Sequence, residues 1–117
     1  MQTTTNDLPY KSTEVEIRQI CQELSDLLVA KNRSYGDSAL NPKHIFSRLS
    51  AVEGIQARID DKLARLMQGN VDAFREDPEL DLMGYLILLR IAKKRAKLDD
   101  VAKLETNYRP VPPNRGG

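Results

Sequence analysis

The chain has 117 residues, in which 18 Lys and Arg side chains nearly balance 17 Asp and Glu side chains. This length allows one domain with a modest core, and the charge balance argues against a partner that is a nucleic acid polymer. The single Cys21 excludes an internal disulfide and a cysteine-based zinc site. No apolar run approaches the roughly 20 residues that span a bilayer, and the polar start lacks a secretory signal. We therefore expect a cytoplasmic protein without a membrane partner, in a cell or an infected host.

Hydrophobic periodicity predicts an all-α domain over residues 12–105, between two tails. The first tail, 1–11, is polar. The second, 106–117, is rich in Pro and Gly, which do not continue a helix. We find no alternating stretch typical of a strand and no internal repeat.

The predicted elements begin with a helix that starts at an N-cap in residues 12–13 and runs to about Lys31. Turn-forming residues 32–38 are expected to break it. A short helix is then a candidate over 41–49, because Asn-Pro is a favourable helix start.

A second long helix is predicted over 50–67, with Gly-Asn at 69–70 as its stop. A third covers 77–97 and starts with Asp-Pro, where proline is tolerated. Residues 99–104 are either its continuation or a fourth helix. The third helix is apolar on nearly all sides until Arg90, so we expect it to be the central and most buried element.

Acidic side chains on the second and third helices are candidate metal ligands. Asp77 and Asp81 are four residues apart and share one helical face. Two such carboxylates beside a core are costly unless a cation neutralises them. Glu53 and Asp60 lie within ~20° of each other around the second helix, whereas Asp61 points further outward. If the two helices pack antiparallel, these oxygen ligands converge and favour Mg²⁺ or Mn²⁺ over zinc.

These acids also have ordinary structural explanations. Asp77 fits a helix N-cap. Glu53 and Asp60 fit surface acids, for which Arg58 or Lys62 would be the partners. The metal hypothesis depends on their combination with the acid that lies beside the core of the third helix.

Residues 31–38 are a candidate nucleotide-binding segment. Lys31 offers a cation for phosphate, Asn32 an amide, and Tyr35 an aromatic face for a base. Gly36 allows close approach of the backbone. An ordinary helix C-terminus, with basic side chains at the dipole and a glycine in the turn, explains the same residues.

Three stretches together resemble the phage-type, MazG-like group of all-α NTP pyrophosphohydrolases. They are residues 31–38, residues 58–66 and residues 76–88. The resemblance implies a helical bundle completed by oligomerisation, as a homodimer or homotetramer, with two or three Mg²⁺ or Mn²⁺ ions. It also implies hydrolysis of a (deoxy)nucleoside triphosphate, dGTP or GTP above others, to the monophosphate and pyrophosphate.

The chain departs from the metal pattern of that group, Glu-x-x-Glu on one helix and Glu-x-x-Asp on the next. Gln56 and Pro78 stand where two of the acids are expected. The resemblance assigns metal ligation to Glu53 and Asp81. The residues proposed to replace the missing ligands are Asp60, Asp61 and Asp77.

The expected mechanism is attack of a metal-activated water on the α-phosphorus. Glu53 or Asp61 is expected to accept the proton of that water. The candidate substrate-binding residues are Lys31, Asn32, Tyr35, Arg58 and Lys62. Two other functions stay open: a non-catalytic protein that sequesters nucleotides on the same scaffold, and a helical interaction module whose acids are surface charges.

Overall fold

The structure is a computed structural model that describes residues 8–69 and 77–107. It contains three helices, α1 (Thr13–Ser34), α2 (Ala51–Gln68) and α3 (Pro78–Asn107). No strand occurs within the described ranges, and the predicted all-α fold is confirmed.

Local sequence signals set the helix boundaries. The Ser12 side chain caps α1 by accepting a hydrogen bond from the backbone N–H of Val15 at 3.3 Å. Ser50 and Glu53 form a capping box at the start of α2. Gly69 ends α2 in the left-handed conformation, with φ of 68°. The cap of α1 and the stop of α2 lie where the sequence predicts them, whereas the capping box at the start of α2 was not predicted.

Three details differ from the sequence predictions or decide between them. The first helix ends at Ser34 rather than near Lys31. The short helix proposed over 41–49 is wrong, since this segment is an irregular loop. The third helix continues through 99–104 to Asn107, so this segment is a continuation and not a fourth helix.

The loop replaces the short helix for a local reason. Asn41, the proposed start, donates its side-chain amide N–H to the Asp37 carboxylate at 2.6 Å, so its side chain is held against the preceding turn. His44 has φ of 55°, which a right-handed helix excludes. Its ring Nε2 donates to the Leu49 carbonyl at 2.9 Å and closes the loop on itself.

The predicted tails lie mostly outside the described residues. Residues 8–11 precede α1 and are exposed, and 106–107 belong to α3 rather than to a tail. The remaining tail residues, 1–7 and 108–117, lie outside the description, as does the connection 70–76.

The core lies between α2 and α3. Ile55, Leu88 and Ala92 form the buried cluster. Ile55, near the start of α2, packs in this cluster with Leu88 and Ala92 of α3. Lys62, further along α2, contacts Asp81, which is nearer the start of α3. This order of contacts shows that the two helices run antiparallel, as predicted.

The first helix approaches the third at Gly84, which is buried. A Cβ atom there would lie 3.3 Å from a δ-carbon of Leu28. The missing side chain lets the two backbones come close, and Leu24 of α1 is buried one turn away from Leu28.

The prediction that α3 is central is right, because α3 packs against both other helices. It is less buried than expected, since Met83, Leu86 and Ile87 are each between 39% and 46% exposed. None of the helices in the described ranges combines the length and apolar character needed to cross a bilayer.

Candidate functional site

A cleft of about 880 Å³ opens between the end of α1, the loop 35–50, α2 and the first half of α3. Clefts of about 300–1,000 Å³ are usual for small-molecule sites. The predicted site residues that line it are Lys31, Asn32, Tyr35, Arg58, Asp61 and Asp81. The structure therefore brings most of the predicted substrate-binding residues into one cavity with two of the predicted acids.

The other predicted site residues do not line this cleft. They are Glu53, Asp60, Lys62 and Asp77. Lys62 is nevertheless tied to the cleft, because its ammonium group lies 3.4 Å from an oxygen of Asp81.

Asp81 lies between two lysines from different helices. Lys31 Nζ, at the end of α1, is 3.3 Å from Asp81 Oδ1, and Lys62 Nζ, on α2, is 3.4 Å from Asp81 Oδ2. The Asp81 side chain is only 19% exposed, so its charge requires a neutralising partner. The two ammonium groups supply the positive charge that the sequence analysis assigned to a metal ion. The cluster as a whole is cationic.

Asn32 has a structural role beside the cleft. Its side-chain amide donates to Asp37 Oδ1 at 3.1 Å, and Asn41 donates to the other carboxylate oxygen. Gly36 and Asp37 have φ of 61° and 60°, so two consecutive left-handed residues reverse the chain here. The role of Asp37 was missed by the sequence analysis, although Gly-Asp is a favourable pair for such a turn.

Glu53 belongs to the capping box of α2. Its carboxylate accepts a hydrogen bond from the backbone N–H of Ser50 at 3.1 Å, and its own N–H donates to the Ser50 hydroxyl oxygen at 3.1 Å. The hydrogen bond from the Ser50 backbone, followed by that from its side chain, lowers the pKa of Glu53 from its ordinary value, against a small opposing effect of burial. Glu53 is thus held ionised at a helix start.

The other acids also have local positions of their own. Asp77 caps α3, since its Oδ1 accepts from the backbone N–H of Leu80 at 3.0 Å. Asp61 lines the cleft and pairs with Arg65 at 3.6 Å on the same helix, with its side chain 61% exposed. Asp60 is exposed.

The carboxylates of the described residues do not converge on one point. Among the described residues, no group of three or more His, Cys, Asp or Glu side chains is placed to hold a metal ion. Glu53 and Asp77 each cap a helix, and Asp81 is held by two cations. The donor set within residues 8–69 and 77–107 therefore does not fit a site for two or three divalent ions.

The loop adds apolar residues to the cleft that the sequence analysis did not select. Ile45 and Phe46 line it and are 76% and 97% exposed. Tyr35, predicted to face a base, is 69% exposed at the same cleft. No local signal identified Phe46, because its position depends on how the irregular loop folds back over α1 and α2.

The fold and the site together define an all-α protein with a cationic cleft that also carries exposed aromatic rings. No protein-family model matches the chain, and no curated protein or solved structure is significantly similar to it.

Proposed function

We propose that this chain is a nucleoside triphosphate pyrophosphohydrolase, which converts a (deoxy)nucleoside triphosphate to the monophosphate and pyrophosphate. The observation that carries the proposal is the cleft itself, where Lys31, Arg58 and the Lys62-Asp81 pair meet the exposed rings of Tyr35 and Phe46. Cationic groups suit the triphosphate, and aromatic faces suit a nucleobase. The resemblance to MazG-like enzymes supports hydrolysis rather than binding alone.

The proposed preference for guanine nucleotides comes from the sequence resemblance. The chain resembles the phage enzyme MazZ, which cleaves (d)GTP, and we therefore place dGTP and GTP first among the substrates. Both guanine nucleotides offer the same triphosphate to Lys31 and Arg58.

In this proposal water attacks the α-phosphorus, and pyrophosphate leaves with the electron pair of the broken P–O bond. The proton of the water passes to a carboxylate. Asp61 is better placed for that role than Glu53, because Asp61 lines the cleft and Glu53 does not. The lowered pKa of Glu53 also makes it a weaker base.

The requirement for Mg²⁺ or Mn²⁺ is carried over from the resemblance, since the acids of the described residues do not fit a metal centre of two or three ions. Assembly into a homodimer or homotetramer belongs to the same proposal. It is supported by exposed apolar residues on two helices, which include Ile17 and Ile20 on α1 and Leu86 on α3.

The second candidate is a protein that binds nucleotides without hydrolysing them. The separation of Glu53, Asp77 and Asp81, each of which has its own polar partner, favours this candidate. It predicts the same cleft and the same ligands, without turnover and without a need for a divalent ion.

Anion-exchange chromatography of the products separates the two candidates. The protein is incubated with each (d)NTP in Mg²⁺, in Mn²⁺ or in EDTA. We expect metal-dependent release of the monophosphate and pyrophosphate, with dGTP as the best substrate. Absence of turnover under both metals would reject the enzyme and leave the binding protein.

A further inference from the structure

The two lysines of the Lys31–Asp81–Lys62 cluster differ in how far their side chains are exposed. The Lys62 side chain is only 12% exposed, whereas that of Lys31 is 47% exposed. Lys62 is therefore fixed by the packing of its own aliphatic stem, and Lys31 has room to move its ammonium group. Both ammonium groups, at 3.3 and 3.4 Å from the carboxylate, are directed at one acceptor.

A phosphate group presents the same kind of acceptor as Asp81 with more charge. An ammonium group binds phosphate as a point charge with three donors, so each lysine can exchange a carboxylate oxygen for a phosphate oxygen. Arg58, which lines the same cleft, adds a second kind of donor for an anion.

We propose that Lys31 and Lys62 form a metal-independent binding site for a diphosphate group, and that Asp81 is the internal competitor that holds both lysines while the cleft is empty. The inference rests on the proposed function in assigning a nucleotide phosphate chain to this cleft, but it does not require hydrolysis. It gives Asp81 a role in the metal-free protein that a metal ligand alone would not have.

Removal of the Asp81 charge has two opposite effects on such a site. Loss of a tether would loosen the lysines and weaken anion binding. Loss of a negative charge next to the bound anion would strengthen it, since a unit charge a few ångströms away from a multiply charged anion has a large effect in a partly buried cleft. Because Lys62 is fixed by its own burial, the second effect dominates.

The test is isothermal titration calorimetry with inorganic pyrophosphate in EDTA at low ionic strength. We expect the wild-type protein to bind pyrophosphate, and added salt to weaken the binding. Asp81→Asn should tighten it by about tenfold. Lys62→Met, which keeps the stem and removes the charge, should weaken it by about tenfold or more.

Glu79→Gln is the matched control. Glu79 lies in the same first turn of α3, is exposed, and does not line the cleft. The same loss of one charge there should change the affinity by less than about twofold. Circular dichroism of each variant checks that the helices are retained.

Two results would overturn the inference: no binding of pyrophosphate to the wild-type protein in EDTA, or an affinity of Asp81→Asn equal to or lower than that of the wild type. Neither result decides whether nucleotides are hydrolysed. Turnover of dGTP with metal is measured separately, so failure of the proposed function and failure of this inference are distinguishable.

Discussion

The Glu53 carboxylate has two competing roles, as a helix cap in the structure and as a metal ligand in the sequence resemblance. In the structure it accepts the backbone N–H of Ser50 and completes the capping box of α2. The sequence resemblance assigns the same residue to a metal ion. A carboxylate that already accepts a hydrogen bond has a lone pair fewer for a cation, so the capping role and the ligand role are not independent.

The lowered pKa of Glu53 predicts how the stability of α2 depends on pH. Because the folded pKa is below the ordinary value of 4.5, the ionised side chain stabilises the fold above that pH, and the contribution is lost as pH falls through the folded pKa. We expect Glu53→Gln to unfold at a lower temperature than the wild type at pH 7, and this difference to disappear in acid. Thermal unfolding followed by circular dichroism measures it.

Asp60→Asn provides the control for that experiment. It removes the same charge from the middle of α2, at an exposed position outside the capping box. Its unfolding temperature should differ little from that of the wild type at any pH. A pH-independent difference for Glu53→Gln would contradict the assignment of the effect to ionisation of Glu53.

At the scale of elements, the approach of α1 to α3 depends on Gly84. Glycine in a helix interior costs roughly 0.5–1 kcal/mol of stability relative to alanine. The close packing of α1 against α3 explains why glycine nevertheless occupies this position. The 3.3 Å contact that a Cβ would make is with the end of a flexible Leu28 side chain. A small shift of that side chain accommodates one methyl group but not a branched residue.

We therefore expect Gly84→Ala to change the free energy of unfolding by less than about 1 kcal/mol, because the gain in helix propensity offsets the contact. Gly84→Val should destabilise the protein by about 1–3 kcal/mol through overpacking. Urea denaturation measures both.

At Gly54 a Cβ would meet nothing within 4 Å, so Gly54→Ala should be stabilising. A Gly84→Val protein as stable as the wild type would show that α1 does not pack here.

The sequence predicted the elements where the signal is local. The cap of α1 at Ser12 and the Gly69 stop of α2 each depend on residues within one turn, and both were predicted. The Ser50-Glu53 capping box was missed, because Glu53 was interpreted as a metal ligand or a surface acid. The turn after α1 was predicted, but the segment 41–49 was wrongly predicted as a helix. Asn41 has two possible uses, a helix start or a donor to Asp37, and the choice depends on the turn at residues 36–37.

The sequence predicted several residues of the site, but not which of them contact one another. Residue types, helical spacing and the family resemblance together selected Lys31, Lys62 and Asp81, and all three meet in the structure. The lysines were nevertheless assigned to substrate and the acid to a metal ion, because contacts such as the one between Lys31 and Asp81, 50 positions apart, follow from helix packing and not from local spacing.

At the scale of the whole molecule, little of the apolar surface is covered. Within the described ranges, the buried hydrophobic core consists of Leu24, Ile55, Leu88 and Ala92. By contrast, Ile17 and Ile20 on α1 are 58% and 50% exposed. Apolar surface of this kind is typical of a chain that completes its core against another copy.

We expect size-exclusion chromatography with light scattering to give twice or four times the mass of one chain. Ile17→Glu should shift the protein toward the monomer, because it places a charge in the apolar surface of α1. Gln19→Glu adds a charge to the same exposed helix without removing an apolar side chain and should leave the mass unchanged. A monomeric wild-type protein would contradict the proposed assembly.

The length of α3 has a mechanical consequence. The helix is one unbroken rod from Pro78 to Asn107, with Asp81 near one end and Leu104 about 35 Å away near the other. A tilt of about 5° about the distal end would carry the cleft end, with Asp81, through about 3 Å. A partner that binds the distal half of α3 and tilts the helix would therefore also move the Asp81 carboxylate between the two lysines.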